Sequence, residues 1–293
     1  MKPRYIFTMA LLIVSLIPTN SIAASKLRPI ILDPSYNHDK WITQPQDHIF
    51  KFAAYTSSFD GADDNDLDGD TDKWGIPEWV AFEIRKIGTE HSLANRPGWM
   101  TDEKLFNQGI APSDDSYHVA GTTKMREVST SYRYVRGHMC PKDTAERISE
   151  DAAYNTHTMM NAVPQLQWQN NGIWKKLEAQ CLEWADNYGS VWVVAGPIFF
   201  GKSPAVWLGQ DGEMKVAVPD ALFKIVIRED GDSVKAIAFI IPNVVPKEKK
   251  KLNLFLSTVQ RVEDLTGLDF LTVLDDSVEE VIEGTEWEDF EAF

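Results

Sequence analysis

Three short segments of the sequence contain side chains that can together do chemistry on a phosphate ester. Between residues 96 and 178 they supply an imidazole, two amides, a carboxylate and two guanidinium groups, in His138, Asn161, Asn170, Glu178, Arg96 and Arg136. Each has an ordinary explanation if taken singly: a loop histidine, an asparagine that caps a helix, or a solvated helix glutamate. Those separate explanations do not account for the occurrence of all of them together.

Hydrolysis of a phosphodiester uses these residue types. A neutral imidazole titrates near working pH, so His138 can act as the base that activates water. The amide oxygen of Asn170 suits magnesium, which prefers oxygen ligands, keeps several waters and can stabilise the leaving oxygen. Glu178 can accept a hydrogen bond from a metal-bound water. Arg96 and Arg136 can bind phosphate oxygens through charge-assisted hydrogen bonds.

A helix must position part of this group. Asn170 and Glu178 are eight residues apart, slightly more than two helical turns, so both can face one side near the start of a helix. The apolar residues that follow recur at the spacing of an amphipathic helix, in Trp174, Leu177, Cys181, Trp184 and Tyr188. Gly189 then predicts the end of the helix.

Strands and a second helix complete the predicted architecture. The β-rich runs that predict strands are residues 79–87, 191–195, 222–228 and 234–241. The last two are joined by Glu-Asp-Gly-Asp-Ser, which predicts a hairpin. A second amphipathic helix is predicted from about Lys251 to Thr266, before Gly267. This arrangement indicates an α+β fold, and we expect residues 25–293 to form one domain, because no linker or repeat interrupts them.

The order of the motifs resembles the DNA/RNA non-specific endonuclease family. The Arg-Gly-His run that ends at His138 is followed by Asn-x-x-Pro-Gln-x4-Asn-x-Gly-x-Trp-x2-Leu-Glu, from Asn161 to Glu178. Further similarity lies at residues 193–198, 219–224 and 262–270, so the resemblance covers about residues 79–270. It implies a central antiparallel sheet flanked by helices, with a ββα-metal active-site motif.

The resemblance also implies a role for each site residue. His138 would be the general base, and Asn170 would be the metal ligand. Glu178 would position the metal's water. Asn161 would support the site, Arg136 matches the arginine of the family's Asp-Arg-Gly-His box, and Arg96 matches an upstream phosphate-binding arginine. The aspartate of the box is Val135 here. Because that position is neither the base nor the ligand, we expect activity to survive.

An aspartate-rich segment, residues 60–78, predicts a second kind of metal site. Its acidic side chains occupy the early positions of a calcium-binding loop, in Asp64, Asp66, Asp68, Asp70 and Asp72. Gly69 takes the sixth position, but Gly75 replaces the glutamate of the twelfth, and Glu78 is the nearest carboxylate that can substitute. Calcium binding with a structural role is the favoured interpretation, and a solvated acidic loop is the alternative.

The first 24 residues have the features of a secretory signal peptide. Lys2 and Arg4 precede an apolar run that is too short to span a bilayer comfortably, and residues 21–23 form a small-x-small cleavage site. We therefore expect export to the periplasm or the extracellular space, with no membrane attachment after cleavage. In an exported chain Cys140 and Cys181 can form one disulfide, or Cys181 can be a buried thiol.

The net charge of −15 would not by itself suggest a nucleic-acid enzyme. Much of the acid lies in residues 60–72 and in a C-terminal segment, residues 275–293, that is expected to be a solvated tail or face. On the motifs we expect an exported endonuclease that cleaves DNA and RNA with little sequence preference, using Mg²⁺ or Mn²⁺. The alternatives are a small-nucleotide phosphodiesterase, and a calcium-stabilised nucleic-acid-binding or surface protein without catalysis.

Overall fold

A computed structural model describes residues 25–42, 48–61, 73–117, 127–129, 132–201, 204–246 and 251–293. The expected signal peptide, the run Asp64–Asp72 and residues 247–250 lie outside these ranges. Among the described residues, no helix combines the length and the apolar content needed to cross a bilayer.

Strands and helices alternate irregularly along the chain. The strands are β1 His48–Lys51, β2 Thr56–Phe59, β3 Pro77–Arg85, β4 Glu127–Ser129, β5 Tyr132–His138, β6 Ala162–Leu166, β7 Ser190–Ile198, β8 Val206–Leu208, β9 Val216–Val218, β10 Ala221–Asp230, β11 Ser233–Pro242 and β12 Leu256–Ser257. The helices are α1 Glu103–Asn107, α2 Lys142–Ala145, α3 Glu150–Asn155, α4 Gln167–Gln169, α5 Lys175–Tyr188, α6 Val259–Thr266 and α7 Asp276–Glu283, and a π-helical turn, Asn170–Trp174, joins α4 to α5.

A seven-stranded antiparallel sheet with helices on both sides confirms the predicted α+β fold. Its strand order is β1-β2-β3-β7-β10-β11-β12, while β4-β5-β6 and β8-β9 form two smaller sheets. The strand predictions at 79–87 and 191–195 correspond to β3 and β7. The predicted hairpin is confirmed as β10 and β11, which pair along their whole length from Ala221↔Pro242 to Asp230↔Ser233.

Both faces of the large sheet are buried. Successive side chains of a strand point to opposite faces, and in the central strands both sets are apolar. In β7, Val191, Val193 and Ala195 belong to one apolar core, and Trp192 and Val194 belong to the other. The first core also contains residues of α5 and of the β5–β6 pair, and the second contains residues of α6. We call these two sides the inner and the outer face; each requires its own covering layer.

The helix that contains the second motif is longer at its start than the sequence predicts. It ends at Gly189, whose φ of 91° confirms the predicted stop. Asn170 is not a helix cap, since its φ of −58° and ψ of −51° are helical and the helical backbone begins at Gln167. Trp174, Leu177 and Trp184 are buried on the inner face as the spacing predicts.

One prediction near the C-terminus is wrong. The second amphipathic helix begins at Val259 rather than near Lys251, because Leu256–Ser257 pairs with β11 as a strand and the Thr258 hydroxyl accepts a hydrogen bond from the amide of Arg261 (3.0 Å). Of the two alternatives for the acidic segment 275–293, a solvated tail or a solvated face, the structure favours the face, since most of its acidic residues are exposed. The segment forms α7 and then packs back on the fold, where Phe293 is buried.

Gly196 in β7 lies where the sheet allows no side chain. A Cβ atom at this position would lie 2.3 Å from the carbonyl oxygen of Glu78 and 2.7 Å from the Phe223 ring. We expect Gly196→Ala to lower the free energy of unfolding by about 2 kcal/mol, because backbone in the centre of a sheet cannot move aside. Urea unfolding measures the change. Gly88→Ala, where nothing lies within 4 Å of the added carbon, is the control, and equal effects of the two substitutions would contradict the prediction.

Candidate active site

The strands β5 and β6 bring the Arg-Gly-His run beside the Pro-Gln run. Their antiparallel register places Arg136 opposite Pro164 and His138 opposite Ala162. A Cβ atom on Gly137 would lie 1.5 Å from the Oε1 atom of Gln165, which is fully buried and donates from Nε2 to Gln169 Oε1 at 3.0 Å. The glycine between the arginine and the histidine is therefore required by the glutamine that packs across it.

Asn161 fixes the backbone that follows His138. Its side chain is fully buried, accepts a hydrogen bond from the amide of Cys140 (2.8 Å) and donates to the carbonyl oxygens of Cys140 (2.9 Å) and Thr156 (3.0 Å). The carbonyl oxygen of Asn161 also accepts from the amide of Met139 (3.0 Å). Every polar atom of this amide is used inside the protein, so Asn161 is placed to support the site and not to contact a substrate.

The π-helical turn changes how Asn170 and Glu178 face each other. In a regular α-helix eight residues turn through about 800°, which leaves the two side chains about 80° apart around the axis. A π turn contains more residues per turn, so the segment Asn170–Trp174 reduces that difference. The Nε1 atom of Trp174 donates to the carbonyl oxygen of His138 (3.3 Å), which connects the helix to the end of β5. The strand that ends at His138 and the helix that contains Asn170 and Glu178 are therefore in direct contact.

His138 lies between two rings, those of Trp99 and His157. The ring centroids are 4.5 Å and 4.7 Å away, and the Nε2 atom of His138 is buried without a hydrogen-bond partner among the described residues. Burial, and then the positive field of His157 and Arg96, holds the pKa of His138 well below its usual 6.5. The imidazole is therefore neutral near pH 7 and has a nitrogen free to accept a proton.

His157 is part of this group, although the sequence gives no signal for it. It is 3% exposed, its ring lies 5.7 Å from Trp99, and its Nε2 atom has no hydrogen-bond partner among the described residues. Burial and the charge of Arg96 lower the pKa of His157 to about 4. Only the packing of the chain segment after α3 brings this residue to His138, so no local spacing could have identified it.

The two arginines occupy different environments. Arg96 is exposed and makes no salt bridge with a described residue, yet its charge acts on both histidines. Arg136 forms an ion pair with Asp114 and lies 5.6 Å from the Trp99 ring centroid. A cleft of about 580 Å³ is lined by Trp99 and Asp114, so the aromatic neighbour of His138 and the ionic partner of Arg136 share one opening to solvent.

Glu178 faces a buried lysine that the sequence analysis left without a role. Burial raises the pKa of Glu178 to about 7, and Lys224 opposes that rise more than any other group. Lys224 is 1% exposed, its Nζ atom lies 4.2 Å from the Trp174 ring centroid, and no described residue accepts a hydrogen bond from it. A single charge inside the apolar run of β10 was the signal that could have identified Lys224.

Of the two alternatives left open for the cysteines, the structure has the buried thiol and not the disulfide, because Cys140 and Cys181 are both free and buried. The thiol of Cys140 lies 3.7 Å from the carbonyl oxygen of Ala54. Burial raises the pKa of Cys181 to about 12. Each thiol therefore packs as a small apolar group in the inner core and is protonated at neutral pH.

The predicted calcium loop lies outside the described residues except at its end. Glu78, the proposed substitute for the missing carboxylate, is buried in β3, where its Oε2 atom accepts a hydrogen bond from the hydroxyl of Ser58 (2.6 Å). Binding of calcium by Asp64–Asp72 stays a prediction.

The residues around His138 fit a magnesium-type ion. The amide group of Asn170 makes no hydrogen bond with a described side chain, and its oxygen and the Glu178 carboxylate are hard oxygen donors. Within the described ranges, no three histidine, cysteine, aspartate or glutamate side chains converge here. An ion at this place would therefore be bound by few protein ligands and several waters, as magnesium usually is.

Comparison with known proteins agrees with this geometry. The family model described as DNA/RNA non-specific endonuclease matches residues 67–277. A nuclease of Nostoc sp. is 31% identical over 221 residues, which are 71% of this chain and 72% of that protein. Human endonuclease G is 29% identical over 167 residues, 54% of each chain. Mouse mitochondrial nuclease EXOG is 31% identical over 151 residues, 48% of this chain and 41% of that protein. This chain therefore spans less than two thirds of the length of its EXOG relatives.

A solved structure supports the fold separately. The structure described as the EndoG/EndoGI complex superimposes with a TM-score of 0.62 at 20% identity and covers 83% of this chain and 94% of that chain. At this identity the likeness concerns the arrangement of strands and helices.

We expect His157 to make the fold sensitive to acid. A folded-state pKa of about 4, below the unfolded value of about 6.5, means that the unfolded state binds the proton more tightly, so stability falls as the pH drops below about 6.5. Relative to His157→Gln, the wild type should lose about 3 kcal/mol of unfolding free energy between pH 7 and pH 4. Urea unfolding at several pH values measures this difference, and parallel curves for the two proteins would contradict it.

Proposed function

This chain belongs to the DNA/RNA non-specific endonuclease family, and we propose that it hydrolyses phosphodiester bonds in DNA and in RNA with little sequence preference. The observation that supports this most directly is the neutral imidazole of His138, whose buried Nε2 atom has no hydrogen-bond partner among the described residues and which lies on the strand next to the helix that contains Asn170. A neutral base near an amide oxygen that could hold a metal ion suits attack of water on a phosphate.

His138 acts as the general base in this proposal. Its Nε2 atom removes a proton from the attacking water, which is possible at neutral pH because burial and nearby positive charge keep the ring unprotonated. The rings of Trp99 and His157 both contact the imidazole and limit how it can turn. This packing replaces the orienting role that an aspartate at position 135 would have in the family's box.

Asn170, with Glu178 acting through water, would bind a magnesium or manganese ion. Such an ion supplies positive charge that stabilises the phosphate and the leaving oxygen. Burial moves the pKa of Glu178 to about 7, and the charge of Lys224 helps to keep this carboxylate ionised. Arg96, which is exposed and whose charge acts on both histidines, would bind a phosphate oxygen. Arg136, which is paired with Asp114, would add positive charge.

Weak sequence preference follows from the groups involved. The proposed contacts are made to phosphate, which is the same in every nucleotide and in both nucleic acids. Because the chain has a net charge of −15, attraction of the substrate depends on the local cations of the site rather than on the overall field.

For the cellular setting we propose export followed by removal of residues 1–24. The short positive start and the apolar core of that segment are typical of secretory signals, whereas mitochondrial leaders are amphipathic and rich in arginine. We further propose that residues 25–293 act as one domain and that calcium binds the loop Asp64–Asp72, where the density of carboxylates favours a cation.

Removal of the base tests the central proposal. His138→Ala should lower the rate of cleavage of plasmid DNA and of RNA by roughly 10²- to 10⁴-fold, the usual contribution of a general base, and EDTA should abolish cleavage by the wild type. His91→Ala, a histidine outside the site, is the control, and circular dichroism verifies folding.

Wild-type rates in the His138 variant would refute the mechanism. Absence of cleavage by the wild type with any divalent metal would favour a binding protein, and preference for dinucleotides would favour a phosphodiesterase.

The buried lysine has a separate test. Lys224→Met keeps the volume of the side chain and removes the charge that opposes the rise in the pKa of Glu178. The acid limb of the pH–rate profile should therefore move upward by about one pH unit, with the fold retained, since an isosteric apolar residue replaces a buried charge. Lys235→Met, an exposed lysine on β11, is the control. An unchanged acid limb would show that Lys224 does not act on Glu178.

A further inference from the structure

A second group of carboxylates lies on the outer face of the sheet, away from His138. Helix α6, the loop after it and α7 contribute Glu263, Asp269 and Glu283, and one side-chain oxygen of each lies within 4.8 Å of the others. Residues of α6 pack in the outer core, whereas Trp174 and Leu177 of the active-site helix pack in the inner core. The seven-stranded sheet therefore separates this group from the proposed catalytic residues.

Glu283 is the member that requires an explanation. It is only 7% exposed, and its Oε1 atom is buried without a hydrogen-bond partner among the described residues. Burial and the neighbouring charge of Glu263 raise the pKa of Glu283 to about 8. A buried carboxylate that faces other carboxylates is costly unless a proton or a cation neutralises it.

The described residues supply no cation to the two glutamates of this group. No lysine, arginine or histidine among them forms a salt bridge with Glu263, Glu279 or Glu283, and the nearby Arg261 is paired with Asp264 at 3.9 Å. Glu279, one turn before Glu283, also has a buried Oε1 atom without a partner. Glu263 Oε1 accepts one hydrogen bond, from the amide of Phe270 (2.9 Å). Backbone donors therefore offset only part of the negative charge.

We propose that Glu263, Asp269 and Glu283 bind a calcium ion. All three donors are carboxylate oxygens, which calcium prefers, and a separation of up to 4.8 Å suits oxygens that are each 2.3–2.6 Å from one ion. Asp269 is exposed and Glu263 is half-buried, so water can complete the coordination from the open side. The bound ion joins α6 to α7 and stabilises the layer that covers the outer face.

A shared proton is the competing explanation for the same geometry. In that case Glu283 is protonated and donates to Glu263, and no metal is needed. The substitution Glu283→Gln separates the two, because a glutamine amide can donate to Glu263 as a protonated carboxyl would, yet removes one ionic ligand. Asp269→Asn removes a second ligand at an exposed position, where the fold is not at risk.

Thermal unfolding of the purified full chain, in EDTA and then with calcium chloride as the only divalent metal, tests the proposal. Calcium at a hundredfold excess over its dissociation constant should raise the melting temperature of the wild type by about 5 °C. The Asp64–Asp72 loop, if it also binds calcium, contributes equally to every variant, so the comparison between variants isolates this site.

The calcium-dependent rise should be smaller in Glu283→Gln and in Asp269→Asn, and unchanged in Glu288→Gln, an exposed control with the same change in charge. Isothermal titration should show one calcium ion fewer per chain in Glu283→Gln. A full calcium response in both ligand variants, or no response in the wild type, would overturn the proposal and assign the geometry to a shared proton. Nuclease activity is not part of this measurement, so its outcome is independent of the proposed function.

Discussion

The requirement to cover two apolar faces of one sheet determines where everything else in this protein lies. The central strands β7 and β10 place apolar side chains on both sides, so neither face can remain in water. The inner face is covered by α5 and by the β5–β6 pair, and the outer face by α6, α7 and the segment around Trp41. The proposed active site lies between two parts of the inner layer. It is at the contact between the end of β5 and the start of the helix that contains Asn170.

The inner layer also creates an unusual electrostatic environment for so acidic a chain. Burial, and then charges that include those of Arg96 and Lys142, lower the pKa of His138, and Lys224, extending from the sheet, favours the ionised form of Glu178. Lys224 acts from a buried position, where Coulomb interactions are stronger than at the surface. The remaining excess of acid lies elsewhere, for example in α7, so the net charge of −15 says little about the field that a phosphate meets.

Periodic patterns of apolar residues predicted two kinds of element: the helix that buries one apolar stripe, and the central strands that bury both faces. The spacing from Trp174 to Trp184 predicted α5, and the runs around Val193 and Ile225 predicted central strands. What the sequence could not predict depends on contacts between distant segments. The start of α6 was placed too early because pairing of Leu256–Ser257 with β11 is a tertiary event.

The site, like the fold, was predicted in part. His138, Asn170 and Glu178 were identified from motif spacing, and the structure brings their elements together. His157 and Lys224 were missed as partners, since they lie on separate elements and reach the site only through packing. The choice between a disulfide and buried thiols stayed open for a related reason: the even count of cysteines allowed a bridge, but each thiol has its own place in the core.

The pairing of β3 with β7 has a consequence for how the protein reaches its native state. These strands are neighbours in the sheet, yet residues 86–189, which contain all of β5, β6 and α5, lie between them. Closing so long a loop costs more entropy than closing the turn between β10 and β11, so we expect the local hairpin to form early and the β3–β7 contact late. The histidine and the asparagine belong to the late part. A chain that has not finished folding therefore lacks the contact between the end of β5 and the helix that contains Asn170, around which the proposed site is built.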